Sequence, residues 1–337
     1  MITIDGSEGE GGGQVLRNSV ALSLITGQPC RITNIRGKRE KPGLMRQHMT
    51  AIEAACQISG SECGGLQIKS SEIIFRPGTV VPGNYHFAVG TAGSTSLVLQ
   101  TVLMPLILAD APSTLVLEGG THNMMAPPFD FIERCFLPII NRLGPTVSGR
   151  LIRHGFYPRG GGRIEVEITP APLRAIECVE RGALRNVSAE ARFTSLPFEV
   201  AERELKAARK VLGWDESKFV VRQLPEEQGP GNILLLEAAF DSVTEIVSGF
   251  GKLGVSAESL AKTAAQRMAG YIESTAFAGS YLADQLLLPF ALAGRSSFTT
   301  VKPSQHSRTA ADIIQRFTGR SVEFHERDKE PWLVSIR

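Results

Sequence analysis

Apolar residues along the chain recur in two rhythms, one suited to a helix face and one to a strand, and the alternation itself repeats. Residues 16–37 and 99–120 have equal length and align without a gap. Each carries a helical apolar pattern, a turn and a short strand-like run. The turns read Thr26-Gly27-Gln28-Pro29 and Ala109-Asp110-Ala111-Pro112, and the strands after them are predicted over 30–35 and 114–118. A third copy is anchored by Gly279-Ser280-Tyr281, corresponding to Gly93-Ser94-Thr95, and by residues 289–294, corresponding to 105–110, with a slip of two residues between the anchors. A second helix is predicted after each strand, over 41–59, 127–143 and 307–318. Gly60, Gly144 and Gly319 stand just past the last periodic residue, where a helix stop is expected. Strand pairs follow, at 66–75, at 147–168 folded back at Arg159-Gly160-Gly161-Gly162, and at 322–336 folded back near Asp328.

Residues 181–274 do not match this unit. They read as strand (185–193), helix (197–212), strands (219–224, 232–240, 244–247) and a long helix (257–272), with a loop at 225–231 by its proline and glycine content. The expected fold class is α/β (α+β): a discontinuous domain of three repeats, residues 1–180 and 275–337, carrying a smaller inserted α/β domain, residues 181–274.

Composition narrows the class of function. A length of 337 residues and a net charge of +2 describe an ordinary globular chain, so any contact with phosphate or nucleic acid must come from local clusters of charge. The 34 glycines are in excess and sit in runs, which marks loops shaped for a purpose. Cys30, Cys56, Cys63, Cys135 and Cys178 are odd in number and form no CxxC pair, which argues against a disulfide framework and a structural zinc site and points to a reducing compartment. The first residues lack a basic start and an apolar stretch, and the longest apolar run, 97–109, is interrupted by Gln100 and Pro105 and too short to span a bilayer. The expected location is the cytoplasm, with no membrane contact.

The common nucleotide motifs are missing: there is no GxxxxGK[ST] loop, no HExxH helix and no KxDG. Gly249-Phe250-Gly251-Lys252-Leu253-Gly254 matches GxGxxG, yet the helix predicted over 257–272 leaves no second strand to end in the acidic residue a dinucleotide site requires, so the match is read as accidental. The opening Glu8-Gly9-Glu10-Gly11-Gly12-Gly13-Gln14 is either a plain flexible turn or a helix start whose free N–H groups face an anion. Arg17, Arg36, Lys38, Arg39, Lys41 and Arg46 lie close by in sequence. They form either a solvated face or a set of phosphate contacts, for which arginine in a glycine-punctuated loop is suited. His306 reads as a loop histidine between a strand and a helix, and the repeat offset aligns it with His122 and Arg39. His48, beside Arg46 and Gln47 on a predicted helix, reads as structural or as an RNA contact.

Six ordered segments carry a likeness: EGEGGGQVLR (8–17), RxKPGLMRQH (39–48), GTAGSTSLVLQT (90–101), HGFYPRGGG (154–162), QGPGN (228–232) and GSYLADQ (279–285). Together they resemble the RNA 3'-terminal phosphate cyclase family over essentially the whole chain. The resemblance implies three initiation-factor-like units, each of two helices on a four-stranded sheet, plus a smaller inserted α/β domain. It implies an ATP-dependent ligase-type enzyme with Mg2+ or Mn2+ that converts an RNA 3'-terminal phosphate to a 2',3'-cyclic phosphodiester through enzyme-histidine-AMP and RNA-3'-pp-5'-A intermediates. By that resemblance the nucleophile is His306, with Ser304 able to orient it, and the ATP site is Gln100 with Tyr281, Leu282, Ala283, Asp284 and Gln285. Tyr281 would pack on adenine, and Asp284 would accept from a sugar hydroxyl or support a metal shell. Arg17, Arg36, Arg39 and Gln47 would surround phosphates of ATP or RNA, and Glu10 would hold the metal. The partner implied is RNA with a 3'-phosphate end, with no obligatory protein partner.

Gln305, Ser307-Arg308 and His122-Asn123-Met124-Met125 depart from the family's usual residues, which puts the contacts around them in question. Two other readings stand beside the cyclase. One is a non-catalytic RNA-binding or ribosome-assembly relative of the same fold, for which the family's non-cyclising branch lacks the histidine. The other is a carboxyvinyl transferase, which would use arginines for anionic substrates without needing His306 or ATP.

Overall fold

The computed structural model describes residues 1–328 and 330–337. Its first unit runs β1 (Ile2–Asp5), α1 (Gly13–Thr26), β2 (Cys30–Thr33), α2 (Arg46–Gln57), β3 (Glu62–Gly64) and β4 (Ile73–Arg76). Its second runs β5 (Asn84–Ala88), α3 (Thr95–Ile107), β6 (Ser113–Gly119), α4 (Phe129–Phe131), a π-helical turn (Ile132–Phe136), α5 (Leu137–Arg142), β7 (Thr146–Arg153) and β8 (Gly162–Thr169). The third opens with β9 (Glu177–Cys178), and the chain then leaves it. It builds β10 (Leu184–Thr194), α6 (Phe198–Leu212), β11 (Phe219–Gln223), β12 (Gly231–Phe240), β13 (Thr244–Phe250) and α7 (Ala257–Glu273). It returns as α8 (Ser280–Ala293), β14 (Ser297–Thr300), α9 (Gln305–Thr318), β15 (Val322–Arg327) and β16 (Glu330–Ile336).

The repeat seen in the sequence is a repeat of topology. The three sheets share one strand order, β1-β2-β4-β3, β5-β6-β8-β7 and β9-β14-β16-β15. In each, the first pair is parallel and the other two pairs are antiparallel. The fourth sheet, β11-β10-β12-β13, is built between β9 and α8, so the extra segment interrupts the third unit after its first strand. The α/β fold class with four-stranded sheets is therefore as expected. The helices of the units share one core: α1 packs on α2, α3 and α9, and α8 packs on α9. Buried Val20, Leu22, Val98, Leu99, Leu286 and Ile314 fill it. Because α1 is central, its amino-terminal end lies where three units meet.

Several boundaries differ from the sequence reading. Gly319, at φ 71°, ends α9 as expected, and Gly27 of the expected turn, at φ 70°, ends α1, since glycine enters this left-handed region without a Cβ clash; the caps of α2 and α5 are instead Ile58 and Leu143, ahead of the expected stops Gly60 and Gly144. The helix expected from residue 41 starts at Arg46 instead. Gly43 has φ +80° and any Cβ there would strike the Lys69 carbonyl, so the Pro42-Gly43 corner is held as a loop against residues 65–72. That packing also explains why the strand pair expected over 66–75 is displaced to β3 and β4. The helix expected over 127–143 begins at Phe129 and is interrupted by the π-helical turn. His306 is on α9 rather than in a loop, because Ser304 caps the helix two residues earlier. β5, pairing with β6, was not expected from the sequence.

Candidate active site

The glycine-rich opening folds around one carboxylate. Gly9 and Gly11 both have φ +59°, and the backbone they bend brings the Glu10 N–H to Thr309 Oγ1 on α9, 3.0 Å away. The Glu10 side chain is buried, with 4% exposed, and Oε2 accepts from Arg39 Nη2 at 2.5 Å. A Cβ on Gly12 would collide with Glu10 Oε2 and lie 2.6 Å from Arg39 Nη2. One on Gly13 would lie 2.7 Å from His48 Nε2 and 2.9 Å from Arg17 Nη1. Glycine is thus required here to admit four polar side chains to the start of α1.

His306 is the second residue of α9, whose first turn leaves N–H groups without intrahelical acceptors. Its Nδ1 lies 2.8 Å from Gln14 Oε1 and 3.8 Å from Glu10 Oε2. An amide oxygen only accepts, so Nδ1–H is the donor in the contact with Gln14, on a ring with 46% exposed. Ser304 Oγ accepts from Ser307 N–H at 3.0 Å and donates to Asp284 Oδ1 at 2.7 Å; Ser307 Oγ donates to the same oxygen. Burial raises the Asp284 carboxyl above its ordinary range, against the pull of the two serines and of His306. Asp284 therefore fixes the start of α9, and with it the imidazole.

Beside the imidazole lies a cleft lined by Gln14, Arg17 and Asn18 from α1, Gln100, Leu103 and Met104 from α3, Phe136, and Asp284, Gln285 and Leu288 from α8. Gln100 Nε2 donates to Gln285 Oε1 across it. Arg17 makes no hydrogen bond within the described residues, and burial, opposed by Glu10, pushes its guanidinium down to about 10. The run 281–285 splits by helical spacing. Tyr281, Asp284 and Gln285 share one face, while the Leu282 and Ala283 side chains turn into the core. The half-exposed Tyr281 ring has the Arg267 guanidinium 4.6 Å from its centre.

A family model described as RNA 3'-terminal phosphate cyclase matches residues 8–324. A curated protein named RNA 3'-terminal phosphate cyclase from Koribacter versatilis (strain Ellin345) is 49% identical over 97% of this chain and 93% of its own length. Proteins of the same name from Ralstonia nicotianae (strain ATCC BAA-1114 / GMI1000) and Ectopseudomonas mendocina (strain ymp) are 49% and 46% identical, over 94% and 100% of this chain and 91% and 98% of theirs. The chain belongs to this family of enzymes. Among solved structures, the enolpyruvyl transferase NikO from Streptomyces tendae overlays with a TM-score of 0.40 at 9% identity, over 99% of this chain and 48% of that one, an overlap too low to carry an argument.

In this cyclase-family chain the remaining candidates have separate fates. Arg36, at φ 54°, donates through Nη1 to the carbonyls of Lys41 (2.6 Å) and Gly43 (3.1 Å), so it braces the loop that carries Arg39. Gln47 is half-buried on α2 and packs beside Gly93. His122 follows β6 as His306 follows β14, but it is buried away from the cleft. Its Nε2 bonds Asp130 Oδ2 at 2.8 Å and its Nδ1 bonds Thr121 Oγ1 at 2.8 Å. Sequence reasoning missed Gln14 as the imidazole's partner, although it stands inside the 8–17 segment. It also left His48 open: the ring is buried, Nδ1 accepts from Met45 N–H at 3.1 Å, and burial, with Arg17 and Arg36, pushes it down to about 3, so it is neutral. For a divalent cation the donor set is one carboxylate: Glu10 Oε1 is buried without a hydrogen-bond partner, and no group of three His, Cys, Asp or Glu gathers among the described residues. That fits a hard cation that takes most of its oxygens from phosphate and water. No helix among the described residues is long and apolar enough to cross a membrane.

Proposed function

We propose that this enzyme uses ATP to convert an RNA 3'-phosphate end to a 2',3'-cyclic phosphodiester, with His306 as the transient carrier of AMP. The observation that carries the reading is the imidazole itself: its Nδ1 is held by Gln14, which lines a cleft together with Arg17, an arginine that makes no hydrogen bond among the described residues. The Nε2 lone pair attacks the α-phosphorus of ATP; the N–P bond forms as the bond to the bridging oxygen breaks and pyrophosphate departs. Glu10 Oε2, close to Nδ1, offsets the positive charge that the ring acquires. An oxygen of the RNA 3'-phosphate then displaces the imidazole from phosphorus, and the neighbouring 2'-hydroxyl displaces AMP to close the cyclic diester.

In this reading Arg17 and the first N–H groups of α9 hold the triphosphate charge, and Arg39 and Gln47 face phosphate of ATP or RNA. Tyr281 packs on adenine, while Gln100 and Gln285 define the floor. Mg2+ or Mn2+, held by Glu10, would neutralise charge on the departing pyrophosphate. Asp284, expected to accept from a sugar hydroxyl or to support a metal shell, is here taken as the residue that orients α9, because Ser304 and Ser307 both donate to it. The test is incubation with ATP labelled at the α-phosphate and either metal. A protein-bound label stable to alkali and lost in acid is expected, and His306→Ala should carry none. Equal labelling of that variant would remove His306 from the reaction.

A further inference from the structure

We infer that Glu245 and Arg267, both from the inserted segment 181–274, are positioning residues for the nucleotide site: they set the amino-terminal turn of α8 and the ring of Tyr281. The inference rests on the ATP reading above. α8 begins at Ser280 with Gly279 as its cap, a residue with no side chain to satisfy the free N–H groups of the first turn. What another part of the chain does hold is the cap's own N–H. Glu245 on β13, with 2% exposed, takes the Gly279 N–H on Oε2 at 2.8 Å. This is the bond that the third residue of a helix makes to its own cap in a capping box, here supplied across the junction between two sheets. The fit is close, since a Cβ on Gly279 would lie 2.8 Å from the Glu245 carboxyl carbon. Within this same first turn, Arg267 of α7 covers one face of the Tyr281 ring, leaving the other face for a base. The extra segment therefore completes the helix that carries Tyr281, Asp284 and Gln285.

The charge on Glu245 makes this coupling dependent on pH. Burial raises the carboxyl to about 7, against the Gly279 N–H and Arg267, which favour its ionised form. The other titratable groups facing it are Tyr271 of α7 and Cys135 of the π-helical turn; both are driven up by burial and are neutral across this range. Above neutrality a carboxylate caps α8; below, a neutral acid does so, with a weaker hold on the helix N-terminus.

The experiment is calorimetric titration of ATP, from about pH 6 to pH 8.5, into the full chain carrying His306→Ala, which removes adenylylation. ATP affinity is expected to rise with pH through neutrality in that parent, by about tenfold overall. Adding Glu245→Gln, which keeps an acceptor oxygen but not the charge, should flatten the profile at the weaker level. Arg267→Ala should weaken ATP by a similar factor, and Arg267→Lys should recover part of it. Parallel pH profiles with and without Glu245→Gln, or unchanged affinity in Arg267→Ala, would overturn the positioning role while leaving the ATP reading intact. Failure of the parent to bind ATP would overturn both.

Discussion

Glu204 illustrates how one side chain can be read only in place. It stands on the outward-sounding run Glu202-Arg203-Glu204, yet it is buried under β12, with Oε1 accepting from Asn232 Nδ2 at 2.5 Å and Oε2 without a partner among the described residues. Burial raises it from its ordinary 4.5 to about 7, opposed by the Asn232 bond. Its folded-state value lies above the unfolded one, so its favourable contribution is complete below about 4.5 and is lost as the pH rises through about 7. Glu204→Gln removes that dependence. Thermal melts at pH 5 and pH 8 should show the variant gaining on the parent at the higher pH, by roughly 2 to 3 kcal/mol. A gap that does not change with pH would contradict the assignment. At this same scale the sequence named Glu10, Arg39 and His306 through motif likeness, but gave no sign that Gln14 would fix the imidazole's tautomer. That bond joins residues at opposite ends of the chain.

At the scale of the element, α9 matters for how it begins. Its amphipathic pattern and Gly319 made it legible in the sequence, whereas its first turn depends on Ser304, Ser307 and the Asp284 carboxylate from α8. Ser304→Ala removes the cap and one of the two hydroxyl donors to Asp284. The expected cost is about 1 kcal/mol of stability, with a fall in the rate of adenylylation larger than the loss of ATP binding, because the imidazole is held less firmly. Denaturant unfolding and single-turnover labelling check the two parts separately. A normal labelling rate would mean that Gln14 alone suffices to hold the ring. The π-helical turn in the second unit had no signal in apolar periodicity, since its extra residue is absorbed within a stretch that reads as ordinary helix.

Across the whole molecule, a buried charge cluster joins the second unit to the extra segment. Asp130 receives His122 Nε2, Arg134 Nη2 at 2.5 Å and Arg192 Nη1 at 3.1 Å, and Arg134 also reaches Glu237 on β12 at 2.5 Å. Burial works against ionisation of Asp130, but the His122 bond and the charges of Arg192 and Arg134 outweigh it and hold the carboxyl well below its usual range. Asp130→Asn leaves two guanidinium groups facing a neutral amide, and should lower stability by roughly 3 kcal/mol. Urea unfolding checks this, and a change near zero would show that the cluster is expendable. Arg181 closes the other side of the junction. It donates to the carbonyls of Tyr271 (2.9 Å) and Ala276 (3.2 Å) and lies 4.1 Å from the centre of the Phe240 ring, so the chain's departure from the third unit is tied to its return.

Local chemistry explains what the amino-acid order decided alone. Helical spacing, turn residues and glycine stops depend on neighbours a few positions apart, so the repeated α/β unit was legible. Six ordered segments carried the family likeness for the same reason. The tertiary structure decided which of those residues meet. It brought the start of α1, the cap of α9 and one face of α8 around a single imidazole, and it turned Leu282, Ala283 and His122 inward. It also supplied α8 with a cap from β13. These outcomes follow from packing and hydrogen bonds between residues far apart in the chain, whose partners no local pattern encodes.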